Sequence, residues 1–276
     1  MQYLQLPAPA KLNRFLHILG RRQDGYHKLQ TVFQLLNFGD TVTFEVMQSG
    51  IEVVMPGVKQ EDNLVYKAAL LLSEGQNLPG VRITVNKEIP VGGGLGGGSS
   101  DAATALHGLN VFWNMGYSNA NLVRLSTRLG ADVPVFVGGE TSWGEGIGDE
   151  LTPITLPETW YVVLTPGCEV SSAAIFAHPD LTRDTSAITI ARFLQDRGLR
   201  NDCEQVARGL FPEIGVTLDW LSQWGTARMT GTGACVFLQT DDEALARKVL
   251  SQSDWHGFVT KGTQQSTLVD ALKQIK

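Results

Sequence analysis

Cysteine is scarce in this 276-residue chain, and clustered basic residues and long apolar runs are missing. Its 3 cysteines, Cys168, Cys203 and Cys235, are odd in number and widely separated, and no Cys-x-x-Cys pair occurs. That argues against a disulfide framework and against a cysteine-built zinc site, and makes a reducing cytoplasm the expected setting. His107, His178 and His256 stand at no metal-ligand spacing either. The 22 Lys and Arg residues against 28 Asp and Glu give a net charge of −6, with no Lys/Arg run. Nonspecific nucleic-acid binding is therefore not expected, and local groups must hold any anionic ligand. No segment approaches the ~20 apolar residues of a membrane span. The first residues, Met1 to Leu6, lack the basic flank and apolar core of an export signal, so the expectation is a protein neither exported nor anchored. Repeats and low-complexity tails are also absent. What remains is an ordinary globular composition, 43% hydrophobic and 18% charged, long enough for one large or two smaller domains.

Against these absences stands one concentration, Pro90-Val-Gly-Gly-Gly-Leu-Gly-Gly-Gly-Ser-Ser-Asp-Ala102, with six glycines in the seven residues from Gly92 to Gly98. Upstream, Val81, Ile83 and Val85 alternate with polar residues as in a half-buried strand. Downstream, Ala102, Ala105, Leu106, Leu109, Phe112 and Trp113 recur at helical spacing. A strand that empties through glycines into a helix N-terminus offers free N–H groups and the positive end of a helix dipole, the chemistry of a phosphate cradle. A flexible surface loop is the alternative. Two familiar nucleotide loops do not fit. A dinucleotide fingerprint is formally present at Gly92, Gly94 and Gly97, yet Pro90 separates it from the strand and no acid lies between Asn119 and Arg124. A phosphate-binding P-loop needs Gly-Lys-Ser/Thr, where this chain has Gly98-Ser99-Ser100.

Along the chain, alternation predicts strands at Phe15 to Leu19, Thr41 to Met47 and Ile51 to Met55, then a helix from Leu64 to Leu72. A second helix is expected from Asn119 to Leu129, ended by Gly130, before Asp132-Val-Pro134 and the apolar run Val135 to Val137. Prolines and threonines between Leu151 and Thr159 mark the expected domain junction. Beyond it, Trp160 to Leu164 reads as a buried strand, with helices near Ala187 to Asp196, Val216 to Gln223 and Glu243 to Leu250. A strand is expected at Gly257 to Thr260. A second small-residue turn, Thr230-Gly-Thr-Gly-Ala234, precedes an apolar strand expected at Cys235 to Leu238, in which Cys235 is expected to be a buried apolar residue. The alternation of elements implies two α+β layers sharing a cleft.

Several marks taken together resemble the GHMP kinase superfamily of small-molecule kinases. They are Ala8-Pro-Ala-Lys-Leu-Asn13, Gly20 to His27 with its Asp-Gly-Tyr-His, the glycine loop, Leu129 to Phe136, Asn201-Asp202 and Met229 to Ala234. The resemblance covers nearly the whole chain. Arg14 stands where an apolar residue is usual, Cys203 where a leucine is common, and Thr230 and Thr232 where serines are frequent. The resemblance implies an α+β, two-domain GHMP kinase fold. Residues 1–153 would form a ribosomal S5 domain 2-like, ATP-binding domain and residues 154–276 a ferredoxin-like, substrate-binding domain, with a cleft between them.

The Asp-Gly-Tyr-His motif implies the branch that uses ATP and Mg²⁺ to phosphorylate the 2-hydroxyl of a cytidine diphosphate-linked methylerythritol, on the non-mevalonate route to isoprenoid precursors. The partner would be that small molecule, not a nucleic acid or a membrane, and the enzyme a cytoplasmic monomer or weak homodimer. By the same resemblance, the backbone of Pro90, Val91, Gly92, Gly93, Gly94, Leu95, Gly96, Gly97, Gly98, Ser99 and Ser100 wraps the phosphates. Ser99 and Ser100 either cap the helix or touch phosphate or Mg²⁺. Asp132 is the expected base or orienter of the substrate hydroxyl, with a turn or capping aspartate as the alternative, and Lys11 is its electrostatic partner. Tyr26, His27 and Phe176 are assigned to the cytidine end, although Phe176 is also consistent with core packing. Asn13 and Ser172 are assigned to the polyol. Asn63 and Lys87 are assigned to the adenine end, or are simply exposed polar residues. Asp101, an anion beside phosphates, is expected to point away. A homoserine- or mevalonate-type kinase, and a nucleotide-binding regulator without turnover, are the rival expectations.

Overall fold

The computed structural model describes residues 2–195 and 199–275. Two long strands open the chain, β1 (Tyr3–Arg21) and β2 (His27–Met47), paired antiparallel along nearly their whole length. They extend far beyond the expected segments at Phe15 to Leu19 and Thr41 to Met47. The reason is burial on both faces: from Ala8 through Leu12 and from Leu29 through Leu36 every residue is buried, so period-2 alternation vanishes where the strands are most deeply set. Next come β3 (Ile51–Val54), α1 (Leu64–Ser73), β4 (Gly80–Asn86), α2 (Gly97–Phe112), α3 (Asn119–Ser126) and α4 (Val133–Gly138). A hairpin, β5 (Ser142–Glu145) and β6 (Glu150–Pro153), follows, and β7 (Trp160–Thr165) opens the second half. Then come α5 (Ser172–Ala177), α6 (Ile190–Gln195), α7 (Glu204–Leu210), α8 (Pro212–Leu221), β8 (Ala227–Met229), β9 (Val236–Thr240), α9 (Glu243–Ser251), β10 (His256–Thr263) and α10 (Thr267–Gln274).

The predicted helix at Asn119 to Leu129 stops at Ser126, the one at Val216 to Gln223 begins earlier, at Pro212, and the apolar run Val135 to Val137 is helical. Of the helix expected at Ala187 to Asp196, Ile190–Gln195 is formed, and Asp196 lies outside the described residues. The short elements β5, β6, α5 and α7 were not anticipated, and none carries a long periodic stretch. Helix α10 was missed although Leu268, Ala271, Leu272 and Ile275 recur at helical spacing.

Strands order as β3-β4-β2-β10-β7-β9-β8, with β1 and β5 also on β2. Two residue pairs, Gly262 with Leu36 and Thr263 with Leu35, join the two halves of this sheet. One core lies between β1, β2, β4 and the helices α1, α2 and α4, and α10 returns to it through Leu268. A second core gathers β7, β8 and β9 with α8 and α9, and takes Leu16 and Ile18 from the far end of β1. At the seam sits a smaller cluster of Ala10, Leu12, Leu36, Tyr161, Val163 and Phe237, which also holds Ile89, Leu95 and Cys235. The glycine loop is thereby seated on the joint between halves, with Cys235 buried beneath it as expected.

Candidate active site

A cleft of about 950 Å³ opens at this joint, and Pro90 through Ser99 form one wall. The loop turns its carbonyls into the protein. Gly92 and Gly93 accept from the N–H groups of Ala234 and Cys235 at 3.1 Å each, Leu95 from Lys11 N at 3.0 Å, and Gly96 from Ser100 N at 2.9 Å. Among the described residues no acceptor is found for the N–H groups of Val91 through Ser99. An outward-facing row of amides at the N-terminus of the 16-residue helix α2 is an anion site built from backbone alone. Gly94 is required there: its φ is +74°, and a Cβ would lie 2.3 Å from the Thr230 carbonyl. Gly96, the helix N-cap at φ +75°, would drive a Cβ to 2.7 Å from the Phe136 ring. Neither serine caps the helix. Ser99 lines the cleft, whereas Ser100 is buried away from it and donates its hydroxyl to Pro9 O at 2.6 Å.

Facing the loop is Lys11, just past an irregularity in β1 between Pro9 and Lys11 that redirects the strand. Its ammonium lies 3.2 Å from Asp132 Oδ2 and donates to Asn13 Oδ1 at 2.6 Å and to Gly94 O at 3.1 Å. Lys11 is 2% exposed, so the surrounding protein fixes all three contacts. Asp132 occupies the N-cap position of α4 with Pro134 behind it, yet its carboxylate makes no capping hydrogen bond. That frees it for Lys11 and for the cleft. Asn13 spends its amide on Lys11 and, at 2.9 Å, on Thr31 Oγ1, while its backbone N–H donates to Thr230 Oγ1 at 2.9 Å. It orients Lys11 as much as it faces a ligand. Asn201 and Asp202 hold the opposite turn in place: Asn201 Nδ2 donates to Met229 O and Gly231 O, and Asp202 Oδ2 accepts from Ile18 N.

At one end of the cleft His27 stacks on Phe176, with ring centroids 5.3 Å apart and planes at 20°. Tyr26 stands exposed at the rim, on the turn between β1 and β2. Burial, with the charges of Arg183 and Arg21 added, holds the His27 imidazole below its usual pKa. Ser172, the first residue of α5, shares a 2.7 Å hydrogen bond with Thr232 Oγ1, linking that helix to the Thr230–Ala234 turn.

The other end is lined by Met55, Val58 and Leu64, an apolar patch that the sequence did not single out. Asn63 borders it, with its side-chain oxygen committed to capping α1 through Val65 N at 2.8 Å. Lys87 is not a simple exposed polar residue. It is clamped between Asp40 and Asp101, the latter at 2.8 Å, and Asp40 also accepts from the N–H groups of Glu88 and Ile89 at 2.6 and 2.8 Å. Asp101, expected to point away from the phosphates, is 1% exposed and turns its carboxylate to Lys87. Burial raises the Asp101 carboxyl to about 7, against the opposing pull of Lys87. The same two carboxylates hold the Lys87 ammonium above its ordinary value despite the burial that works to lower it.

An amide-lined loop, an ion-paired lysine and aspartate opposite it, and an α+β frame with the cleft at its joint define a small-molecule kinase of the GHMP type. The GHMP kinases N terminal domain family matches residues 63–140, and the GHMP kinases C terminal family matches residues 184–252. A protein of Chromohalobacter salexigens named 4-diphosphocytidyl-2-C-methyl-D-erythritol kinase is 49% identical over 283 residues, covering 99% of this chain and 95% of the relative. A crystal structure of 4-(cytidine 5'-diphospho)-2C-methyl-D-erythritol kinase superposes with a TM-score of 0.83 at 32% identity, over 94% of this chain and 100% of the other. A mevalonate kinase, at 13% identity and a TM-score of 0.67 over 95% of this chain and 100% of the other, shares the fold alone. The chain belongs to the 4-diphosphocytidyl-2-C-methyl-D-erythritol kinase family of GHMP kinases.

Proposed function

We propose that the chain transfers the γ-phosphoryl group of ATP to the 2-hydroxyl of 4-diphosphocytidyl-2-C-methyl-D-erythritol, giving the 2-phosphate and ADP on the non-mevalonate route to isoprenoid precursors. One observation carries the reading: the Lys11–Asp132 pair and the amide row of Pro90 to Ser99 face the same cleft, whose far wall holds the His27–Phe176 stack. ATP lies with its phosphates along the amides and its adenine toward Met55, Val58 and Leu64, with Asn63 and Lys87 behind. The cytidine lies against Phe176, His27 and Tyr26, and Asn13 and Ser172 meet the polyol. Oxygen of the 2-hydroxyl attacks the γ-phosphorus as the bond to the β–γ bridging oxygen breaks. The hydroxyl proton passes late to the Asp132 carboxylate. Lys11 holds that carboxylate in line and offsets negative charge on the transferring group.

Mg²⁺ carried by the nucleotide fits this donor set. Among the described residues no cluster of three His, Cys, Asp or Glu side chains forms a cage, but Mg²⁺ in kinases takes only one or two protein oxygens beside phosphates and water. Ser99, which lines the cleft, is the residue that would offer such an oxygen. When bound, the ion neutralises charge on the β- and γ-phosphates. Residues 1–153 supply the ATP side and also Asn13, Tyr26 and His27 of the substrate side, to which residues 154–276 add Ser172 and Phe176. Among the described residues no helix is long and apolar enough to cross a membrane. On this reading the enzyme acts in the cytoplasm as a monomer or weak homodimer. The test is ADP release with ATP, Mg²⁺ and each of three alcohols. Turnover is expected with the cytidylylated methylerythritol only; turnover with homoserine or mevalonate alone overturns the substrate, and ATP binding without any turnover overturns the enzyme.

A further inference from the structure

Arg183 touches no part of the phosphate machinery, yet it is tied to the base-binding wall by every hydrogen it carries. Its Nε–H donates to His27 Nε2 at 3.1 Å. Its Nη1 group donates to the carbonyls of Pro179 and Leu181 at 3.4 and 3.0 Å, and its Nη2 group to those of Phe176 and His178 at 2.9 and 2.8 Å. A guanidinium has five N–H donors and no acceptor, and it does not lose its proton in proteins. The His27 nitrogen that meets it must therefore be the bare one. Held neutral by burial and by the charges of Arg183 and Arg21, the ring carries its single proton on the other nitrogen, Nδ1. Among the described residues Nδ1 has no partner, and His27 lines the cleft. The same guanidinium grips the backbone of Phe176, the ring on which His27 stacks.

We propose that Arg183 is a positioning residue that fixes His27 as its Nδ1–H tautomer, so that the cleft presents a donor to the pyrimidine edge and selects cytosine over uracil. The inference rests on the proposed reading of this wall as the cytidine site. Cytosine carries a bare, accepting N3, whereas uracil carries N3–H. A fixed Nδ1–H satisfies the first and opposes the second, and a site built around a polar contact discriminates strongly because the wrong ligand leaves buried groups unpaired. Without Arg183 the imidazole is free to move its proton to Nε2 and turn an acceptor toward the base, which erases the distinction.

The test combines ¹⁵N NMR of the His27 ring with calorimetric binding of cytidine 5'-diphosphate and uridine 5'-diphosphate, on the full chain and on Arg183→Met and Arg183→Lys. Wild type is expected to show Nδ1–H and to favour the cytidine nucleotide by roughly 100-fold or more, with Arg183→Met losing the fixed tautomer and at least tenfold of that preference. Lysine, which restores one donor, should recover much of both, and ATP affinity should stay level throughout. A wild-type ring protonated at Nε2, or an Arg183→Met variant that keeps Nδ1–H and the full preference, overturns the inference. Equal binding of the two nucleotides by a wild type that does carry Nδ1–H overturns instead the cytidine reading and the selectivity built on it, and the intact tautomer tells the two failures apart.

Discussion

Asp132 and Asn63 both sit at helix N-caps, and they put that position to opposite uses. Asn63 gives its oxygen to the helix, while Asp132 leaves α4 uncapped and gives its carboxylate to Lys11. The sequence singled out Lys11, Asp132 and the loop, but it could not separate a capping aspartate from one that leaves its helix uncapped, since both precede a helix and a proline in the same way. Arg183 was missed, because it meets His27 across 156 positions and no local pattern announces it. Two expectations follow at this scale. Gly94→Ala forces a side chain into a φ of +74° and against the Thr230 carbonyl, a strain of about 1–3 kcal/mol. ATP affinity measured by calorimetry should therefore fall by roughly tenfold or more; unchanged affinity would mean the loop amides do not hold the phosphates. Phe176→Ala should weaken the cytidylylated substrate by about 1–3 kcal/mol while leaving ATP binding intact, and equal loss of both would point to a collapsed wall instead.

Among the elements, helices α1 and α9 were read to within one residue, α9 because its polar side is distinct. The short buried strand β7 was legible too, as a brief apolar run at Trp160 to Leu164. Strands β1 and β2 were recovered only in part because their middle stretches are buried all round and Pro7 and Pro9 interrupt the first. The approach to the glycine loop is the element on which the site depends most, and an ionic clamp of Lys87 between Asp40 and Asp101 holds it. Removing the lysine leaves two carboxylates, 0% and 1% exposed, facing each other without a counter-charge. Lys87→Met should accordingly cost about 3–5 kcal/mol. Thermal unfolding would register this as a fall of several degrees, together with weaker ATP binding; an unchanged transition would show that the clamp contributes little.

Across the whole molecule, β1 ties the parts together: its start lies in the first core, its middle in the seam and its end in the second core. The seam is where the cleft opens, and composition alone could not reveal it, because its apolar residues look like any other core. Burial holds the imidazoles of His107 and His17 below their ordinary pKa, so both are neutral in the fold, whereas in the unfolded chain they take protons below about pH 6.5. Their contribution to stability is fully present above that pH and declines as pH falls through it. Asp101, raised by burial to about 7, contributes with the opposite sign over the same interval. The histidine part is read by difference: between pH 7.5 and 5.5 the urea midpoint of His107→Gln should rise relative to wild type, and a parallel pH dependence in the two proteins would assign the change to other groups.

In the proposed mechanism one carboxylate, held by one buried lysine, serves the hydroxyl that receives the phosphoryl group. Single-turnover transfer from bound ATP to 4-diphosphocytidyl-2-C-methyl-D-erythritol, compared between wild type and Asp132→Asn, tests this. The rate is expected to fall roughly 100- to 10,000-fold with ATP affinity unchanged. A near-normal rate in the variant would contradict it.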